Sequence, residues 1–490
     1  MFARSLAAAA VLALSAGGAL AQRTDITLGM VLEPPNLDPT AGAAAAIDEV
    51  VYANVFEGLT RFARDGSIVP GLAREWEVSQ DGAVYTFHLR EGVTFHDGTA
   101  MTAEDVVFTL NRARAEDSTN AQKQLFAGIE RVEAVGPATV RVELSGPDGA
   151  FPFKMAWGDA VIVAPESADG LATDPVGTGP FTVADWVQGD RVELARNPDY
   201  WGAAPALERA TFKFIADPAA AFSAMMAGDV DAFPNYPAPE TLAQFEADPT
   251  HEVIVGSTEG ETILAMNNAR PPLDDIRVRE AIAHAIDRQE IIDGAMFGYG
   301  TPIGTHFAPH HPDYVDLTEL SQHDPDRARE LLAEAGQEDL TLQLMLPPPS
   351  YARRGGEIVA AQLREAGIAT EISNLEWAQW LEQVFRGKDF DLTIVSHTEP
   401  MDINIYARPD YYFQYDNPEF RSLMTELEMT ADEEQRSAIL RQAQEMIAQD
   451  YVNGFLFQLA KTGVANARIE GLWENAPTQA NDLTGVRWTP

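Results

Sequence analysis

Val69 to Arg112 reads VPGLAREWEVSQDGAVYTFHLREGVTFHDGTAMTAEDVVFTLNR, and its regular change of pattern decides what kind of chain this is. Tyr85, Phe87 and Leu89 alternate with Thr86, His88 and Arg90, the period of a half-buried strand. Asp81-Gly82 supplies a positive-φ turn that joins this strand to Glu75–Val78, and Asp97-Gly98 closes a second turn. Thr102 and Asp105 then stand at capping-box spacing ahead of a helix carrying Val106, Val107 and Leu110. The unit holds no nucleophile, metal cluster or phosphate cradle, so it reads as a structural part of a larger domain.

The same run resembles the signature region of the dipeptide, oligopeptide and nickel type of extracellular solute-binding proteins, which feed ABC importers. Three further stretches agree in order. Glu33-Pro-Pro-Asn-Leu-Asp-Pro39 with Val55-Phe-Glu-Gly-Leu59 is similar to the family's mature N-terminus. Asp174-Pro-Val-Gly-Thr-Gly-Pro-Phe181 with Arg196-Asn-Pro-Asp-Tyr-Trp201 is similar to its central marker, and Asn267–Arg288 to a fourth. The resemblance implies an α/β, two-lobed periplasmic binding protein-like fold of type II with an extra inserted α/β domain. It divides the chain into residues 22–60, 178–260 and 465–490 for the first lobe, 61–177 for the insertion and 261–464 for the second lobe. A small-molecule or peptide-like ligand would lie between the lobes, and the partners implied are permease subunits at the inner membrane. Neither catalysis nor a cofactor is required.

Composition bounds the same answer without the resemblance. At 490 residues and 46% hydrophobic content, the chain is long enough for two to three domains of roughly 100–200 residues. MFARSLAAAAVLALSAGGALA, residues 1–21, has the basic start, apolar run and small-x-small ending of a secretory signal peptide, which places the mature start at Gln22. No later run approaches the roughly 20 apolar residues of a membrane span. The chain has no cysteine, so neither disulfides nor a lipidated N-terminal cysteine is expected, and a free, monomeric periplasmic protein is.

Acidic residues number 75 against 34 basic, a formal charge of −41, and loss of Arg4 with the leader makes it −42. So negative a chain repels nucleic acid, and its carboxylates read as a dispersed solvated surface.

From Thr24 the pattern predicts a strand at Ile26–Leu28, a helix from Ile47 to Glu57 and strands at 132–135 and 139–144. A helix opened by Asp217-Pro218 ends at Gly228. Val278, Ile282, Ala285 and Ile286 share a helical face that runs to Gly294. Leu340–Leu346, Arg353–Ala366 and Ile368–Ile372 make a βαβ unit. No linker or repeat separates the halves, so ordered crossing strands are expected to join them and to serve as a hinge.

Carboxylates are abundant enough to hide a hydrolase pair, yet G-x-S-x-G, H-E-x-x-H, a cysteine nucleophile and a phosphate loop are all missing. His306, His310, His311 and Asp313 offer donors for a divalent metal or its chelate. Pro302, Gly304, Pro309 and Pro312 favour an irregular surface loop with solvated histidines, so no metal site is assigned.

Ligand choice turns on 346–415. The arginine that dipeptide binders place before the helix, to pair with the peptide carboxylate, falls on Leu346. Their amine-binding aspartate falls on Pro400 of Ser396-His397-Thr398-Glu399-Pro400, with Glu399 or Asp402 as substitutes or as solvated loop carboxylates. The remaining ligand candidates are Asn36, Asn235, Tyr236, Trp377, His397 and Tyr411, whereas Tyr412 and Phe413 read as core.

Overall fold

The computed structural model describes residues 23–41, 44–398, 402–430 and 432–490. The expected leader, the cleavage point before Gln22, and Glu399 and Pro400 lie outside the described residues. Among the described residues no helix is long and apolar enough to cross a membrane.

In chain order, strand β1 (Asp25–Met30) leads to helix α1 (Ala45–Val51). The inserted unit follows, with β2 (Ala73–Val78), β3 (Val84–Leu89), helix α2 (Ala103–Arg114), β4 (Ile129–Gly136) and β5 (Thr139–Leu144). Its sheet has the order β2-β3-β5-β4 and stands apart from the main sheet. The alternation read from the sequence is what buries Tyr85 and Phe87, whose rings pack on Phe151 at 5.1 and 6.1 Å. Gly82 takes φ 70°, as the turn demands, and the Asp105 carboxylate accepts from the Thr102 N–H at 2.7 Å to close the capping box.

The chain then adds β6 (Phe181–Val187), β7 (Arg191–Arg196), β8 (Arg209–Phe214), α3 (Pro218–Ala227) and β9 (Ala232–Phe233). Next come β10 (His251–Met266), α4 (Ile276–Ala285) and α5 (Arg288–Met296). A βαβ unit follows in β11 (Thr341–Leu346), α6 (Ser350–Glu365) and β12 (Ala369–Asn374), then β13 (Leu392–His397) and finally β14 (Asn453–Asn466). These strands make one sheet in the order β12-β11-β13-β10-β14-β9-β1-β8-β7-β6. At its centre the 16-residue β10 and the 14-residue β14 pair antiparallel from His251↔Asn466 to Ala265↔Asn453. This ribbon belongs to both halves and supplies the expected crossing. Its pairing is interrupted between Ser257 and Glu261, where the register shifts.

Two helices differ from expectation. Helix α1 stops at Val51 rather than Glu57, because Ala53 takes φ 59° and the Asn54 amide turns back to cap the Val50 carbonyl at 3.0 Å. The long helix expected through Gly294 breaks after Ala285, where the Asp287 carboxylate accepts from the Glu290 N–H at 3.1 Å and starts α5.

Where α1 meets the insertion, two acids are buried together. The Asp48 carboxyl lies so close to Gly158 that a Cβ there would fall 2.4 Å from its oxygen. Asp159 follows directly, and among the described residues one oxygen of each carboxyl has no hydrogen-bond partner. Burial first, then the charges of Asp159 and Glu49, push Asp48 well above the usual carboxylate range. Burial raises Asp159 to about 6.

Candidate functional site

Strand direction places the site. β11, β12 and β13 are parallel, so their carboxyl ends gather Leu346–Pro349, Asn374–Trp377 and His397 on one edge of the second half. β1, β8 and β9 are parallel in the first half, and their carboxyl ends gather the loop carrying Asn36, Ile215–Asp217 and Asn235. β13 runs antiparallel to β10 with His397 opposite Glu261, and β9 antiparallel to β14 with Phe233 opposite Val464. Both sets of carboxyl ends therefore face the interrupted stretch of the ribbon. In open α/β sheets that edge is where ligands bind.

On the second-half wall, His397 and Asp402 are built into a buried cluster. His306 Nε2 lies 2.8 Å from one Asp402 oxygen and His397 Nδ1 lies 3.3 Å from the other. The outer nitrogen of His306 meets the Tyr406 hydroxyl at 3.1 Å, and that of His397 meets the Tyr412 hydroxyl at 3.2 Å. Asn453 donates to the Tyr406 oxygen at 3.1 Å. Burial opposes ionisation of Asp402, but the imidazoles, His306 foremost, outweigh it and hold the carboxyl well below the usual carboxylate range. The Asp402 side chain is only 13% exposed, which rules out a solvated loop carboxylate.

The histidines of 306–311 are likewise not solvated. His306 is 1% exposed, and His310 stands between the Ser257 hydroxyl at 2.6 Å and the Glu259 carboxylate at 2.7 Å. Burial raises Glu259, and the charge of Asp402 adds to that while His310 opposes it. The prolines of this loop turn the chain inward, toward the ribbon.

Beside the cluster runs an aromatic wall. Trp377, 46% exposed, meets Trp380 at 5.2 Å; Phe385 meets Tyr411 at 5.6 Å, and Tyr411 meets His397 at 6.2 Å. Trp377, Leu381 and Phe385 are all exposed, an apolar ridge spaced by four along one helical stretch. Tyr412 and Phe413 are fully buried, as expected of core residues.

The first-half wall is sparser. Asn235 is exposed and its amide donates to Glu49 at 3.2 Å. Burial raises Glu49 to about 6, with Asn235 and Lys461 pulling it down. Burial lowers Lys461 to about 8, opposed by Glu49 and Glu474, while its ammonium donates to the Trp473 carbonyl. Asn36 folds onto its own loop, accepting from the Asp38 N–H at 2.9 Å. Tyr236 does not line the site: it is buried against Phe233 and Phe245, with its hydroxyl on Thr241 at 2.8 Å. Leu346 is also no anchor position. It fills the core under α6, where its Cδ1 would stand 2.4 Å from a Cβ at Gly356, so its side chain points away from the wall.

Glu49, Lys461, Glu259 and the pairing of His306 with Asp402 were not singled out from the sequence. The first three are single charged residues whose burial arises only from packing, and the fourth joins positions 96 apart.

The sequence profile described as Bacterial extracellular solute-binding proteins, family 5 Middle, matches residues 67–461. The chain is 29% identical to the dipeptide-binding protein of Escherichia coli over 353 residues, 66% of each chain. It is 30% identical to the glutathione-binding protein GsiB of Salmonella typhi over 368 residues, 74% of this chain and 71% of that one. The solved structure of HbpA2 from Haemophilus parasuis superposes with a TM-score of 0.87 at 24% identity, covering 95% of this chain and all of that one. The fold is the two-lobed α/β one of these binding proteins, and the chain belongs to family 5 of the bacterial extracellular solute-binding proteins. It is the substrate-binding component of an ABC importer, in a family whose members work in the periplasm.

Proposed function

We propose that this protein captures a small solute with a planar or apolar part and a hydrogen-bonding part, closes on it, and releases it chemically unchanged. The observation that carries this reading is the convergence of both sets of parallel-strand carboxyl ends on the interrupted ribbon. Trp377 and Tyr411 offer stacking faces, and the buried His397, held by Asp402 and the Tyr412 hydroxyl, fixes the wall behind Tyr411. Asn36 and Asn235 meet the solute from the opposite wall on closure. In this reading residues 22–60, 178–260 and 465–490 form one lobe and 261–464 the other, with 61–177 inserted; the mature chain starts at Gln22 without a lipid anchor and works as a monomer without nucleic acid.

The relatives include a dipeptide-binding and a glutathione-binding protein, but simple dipeptides suit this wall poorly. Both oxygens of Asp402 are already engaged by imidazoles, and Leu346 faces the core. A free dipeptide would bring two charges to be desolvated without full partners, at a cost of several kcal/mol, about a hundredfold or more in affinity. Calorimetry on unmodified dipeptides tests this: submicromolar binding by several would overturn it. For the solute found by a thermal-shift screen of peptides, opines and sugars, Tyr411→Ala and Trp377→Ala should each weaken binding about tenfold or more. X-ray scattering should show a smaller radius with solute bound, and turnover of the solute to a new product would refute the capture reading.

A further inference from the structure

The cluster at the end of β13 has the makings of a site of its own. We propose that His306, His397 and Asp402 bind a divalent transition-metal ion of the zinc type, with the fourth position filled by water or by a donor atom of the solute. The three side chains arise from separate backbone segments: the loop after Gly300–Pro302, the end of β13 and the turn Asp402–Ala407. One nitrogen of each ring and a carboxylate oxygen lie within 4.8 Å of one another. Ligand atoms about 2.0 Å from a tetrahedral zinc stand about 3.3 Å apart; here His306 lies 2.8 Å from one Asp402 oxygen and His397 3.3 Å from the other, so the carboxylate would turn one oxygen toward both rings to hold the ion.

The surroundings also suit an ion. Each imidazole has its other nitrogen on a tyrosine hydroxyl, and Asn453 fixes one of those hydroxyls, the outer layer that orients metal-binding histidines. On binding, each ring would carry its proton on that outer nitrogen and donate to the tyrosine oxygen. Glu259, its carboxylate 2.7 Å from His310, and buried Glu261, opposite His397 in the sheet, stand in the ribbon beside the cluster. A divalent cation would balance that concentration of carboxylates.

The test needs no solute, so it stands or falls separately from the capture reading. The full mature protein is stripped with EDTA and titrated with zinc chloride by calorimetry, with elemental analysis after gel filtration. One equivalent bound at micromolar affinity or tighter, with a raised melting temperature, is the expected result. His397→Gln and Asp402→Asn should each weaken zinc binding about a hundredfold, and Tyr412→Phe about tenfold, because it removes only an outer hydroxyl. Cobalt(II) should give the visible bands of a tetrahedral ion in the unaltered protein and lose them in His397→Gln. If the first two variants fail to fold, Tyr412→Phe decides: unchanged zinc affinity overturns the site. Absence of zinc binding at millimolar concentration, or uptake only of a preformed metal chelate, overturns it as well.

Discussion

Asp402 and Asp159 are both buried aspartates, yet their surroundings drive them in opposite directions. Asp402 has an imidazole on each oxygen and is held strongly acidic against its burial, whereas Asp159 faces Asp48 and is raised to about 6. Burial acts in the same sense on both. The partner decides the outcome: the imidazoles pull Asp402 down more than burial pushes it up, whereas the backbone N–H groups on Asp159 do not offset its burial.

The largest expected effect breaks the first arrangement. His306→Ala leaves the Asp402 carboxylate without its nearer partner and should cost about 3–5 kcal/mol in urea unfolding, the usual penalty for stranding a buried charge. A loss below about 1 kcal/mol would mean that His397 alone satisfies Asp402.

Next comes the opposite mutation, a gain. Asp159 is raised from 3.8 to about 6 by folding, so its contribution is fully present below about pH 4 and is lost as pH rises through 6. Asp159→Asn should therefore leave stability nearly unchanged at pH 4 and raise it at pH 8 by about 2 kcal/mol. Thermal melts across that range check it, and an equal effect at both pH values would show that the carboxyl is not the cause.

The smallest effect sharpens the contrast with a third acid. Asp105 is buried and, among the described residues, has no ion-pair partner, but it accepts from the Thr102 N–H at 2.7 Å and the Thr102 hydroxyl at 3.0 Å. Thr102→Ala should cost about 1 kcal/mol by chemical denaturation, because it removes the cap and leaves the backbone donor in place. A cost comparable with that of His306→Ala would show that the hydroxyl carries more of this acid than a cap does.

What the sequence revealed follows the range of the forces involved. Tyr85 and Phe87 alternate, Asp81-Gly82 turns and Thr102 caps within a few residues, so the inserted sheet and its helix were readable in place. The end of α1 was not, because Asn54, a residue with no helical period, stops it by side-chain bonding. His397, Asp402 and Tyr411 were picked out by laying the chain on relatives, and the structure brings them to one wall. Their meaning changed when His306 arrived from a loop whose prolines had suggested solvent. Tyr236 falls away for the opposite reason: it sits next to the site in sequence while its side chain points into a core, as does Leu346, where the sequence lacked the arginine anchor.

The Asn54 side chain carries one more consequence. Its amide donates to the Asn481 carbonyl at 2.8 Å and its oxygen accepts from the Leu483 N–H at 3.0 Å, while Trp488 donates to the Asp25 carbonyl at 2.8 Å. Ribosomes add about 5–20 residues per second, so Asn54 waits roughly 20 to 85 s for a partner made 427 positions later. The inserted sheet has all of its strands by residue 144 and is free to fold first. Ribosome-bound chains stalled before Asn481 should thus protect the inserted sheet from protease and leave the turn at Asn54 cleavable; protection of that turn would disprove this order. The turn that ends α1, among the first segments synthesised, is therefore completed only by the last, which ties the head of the chain to its tail.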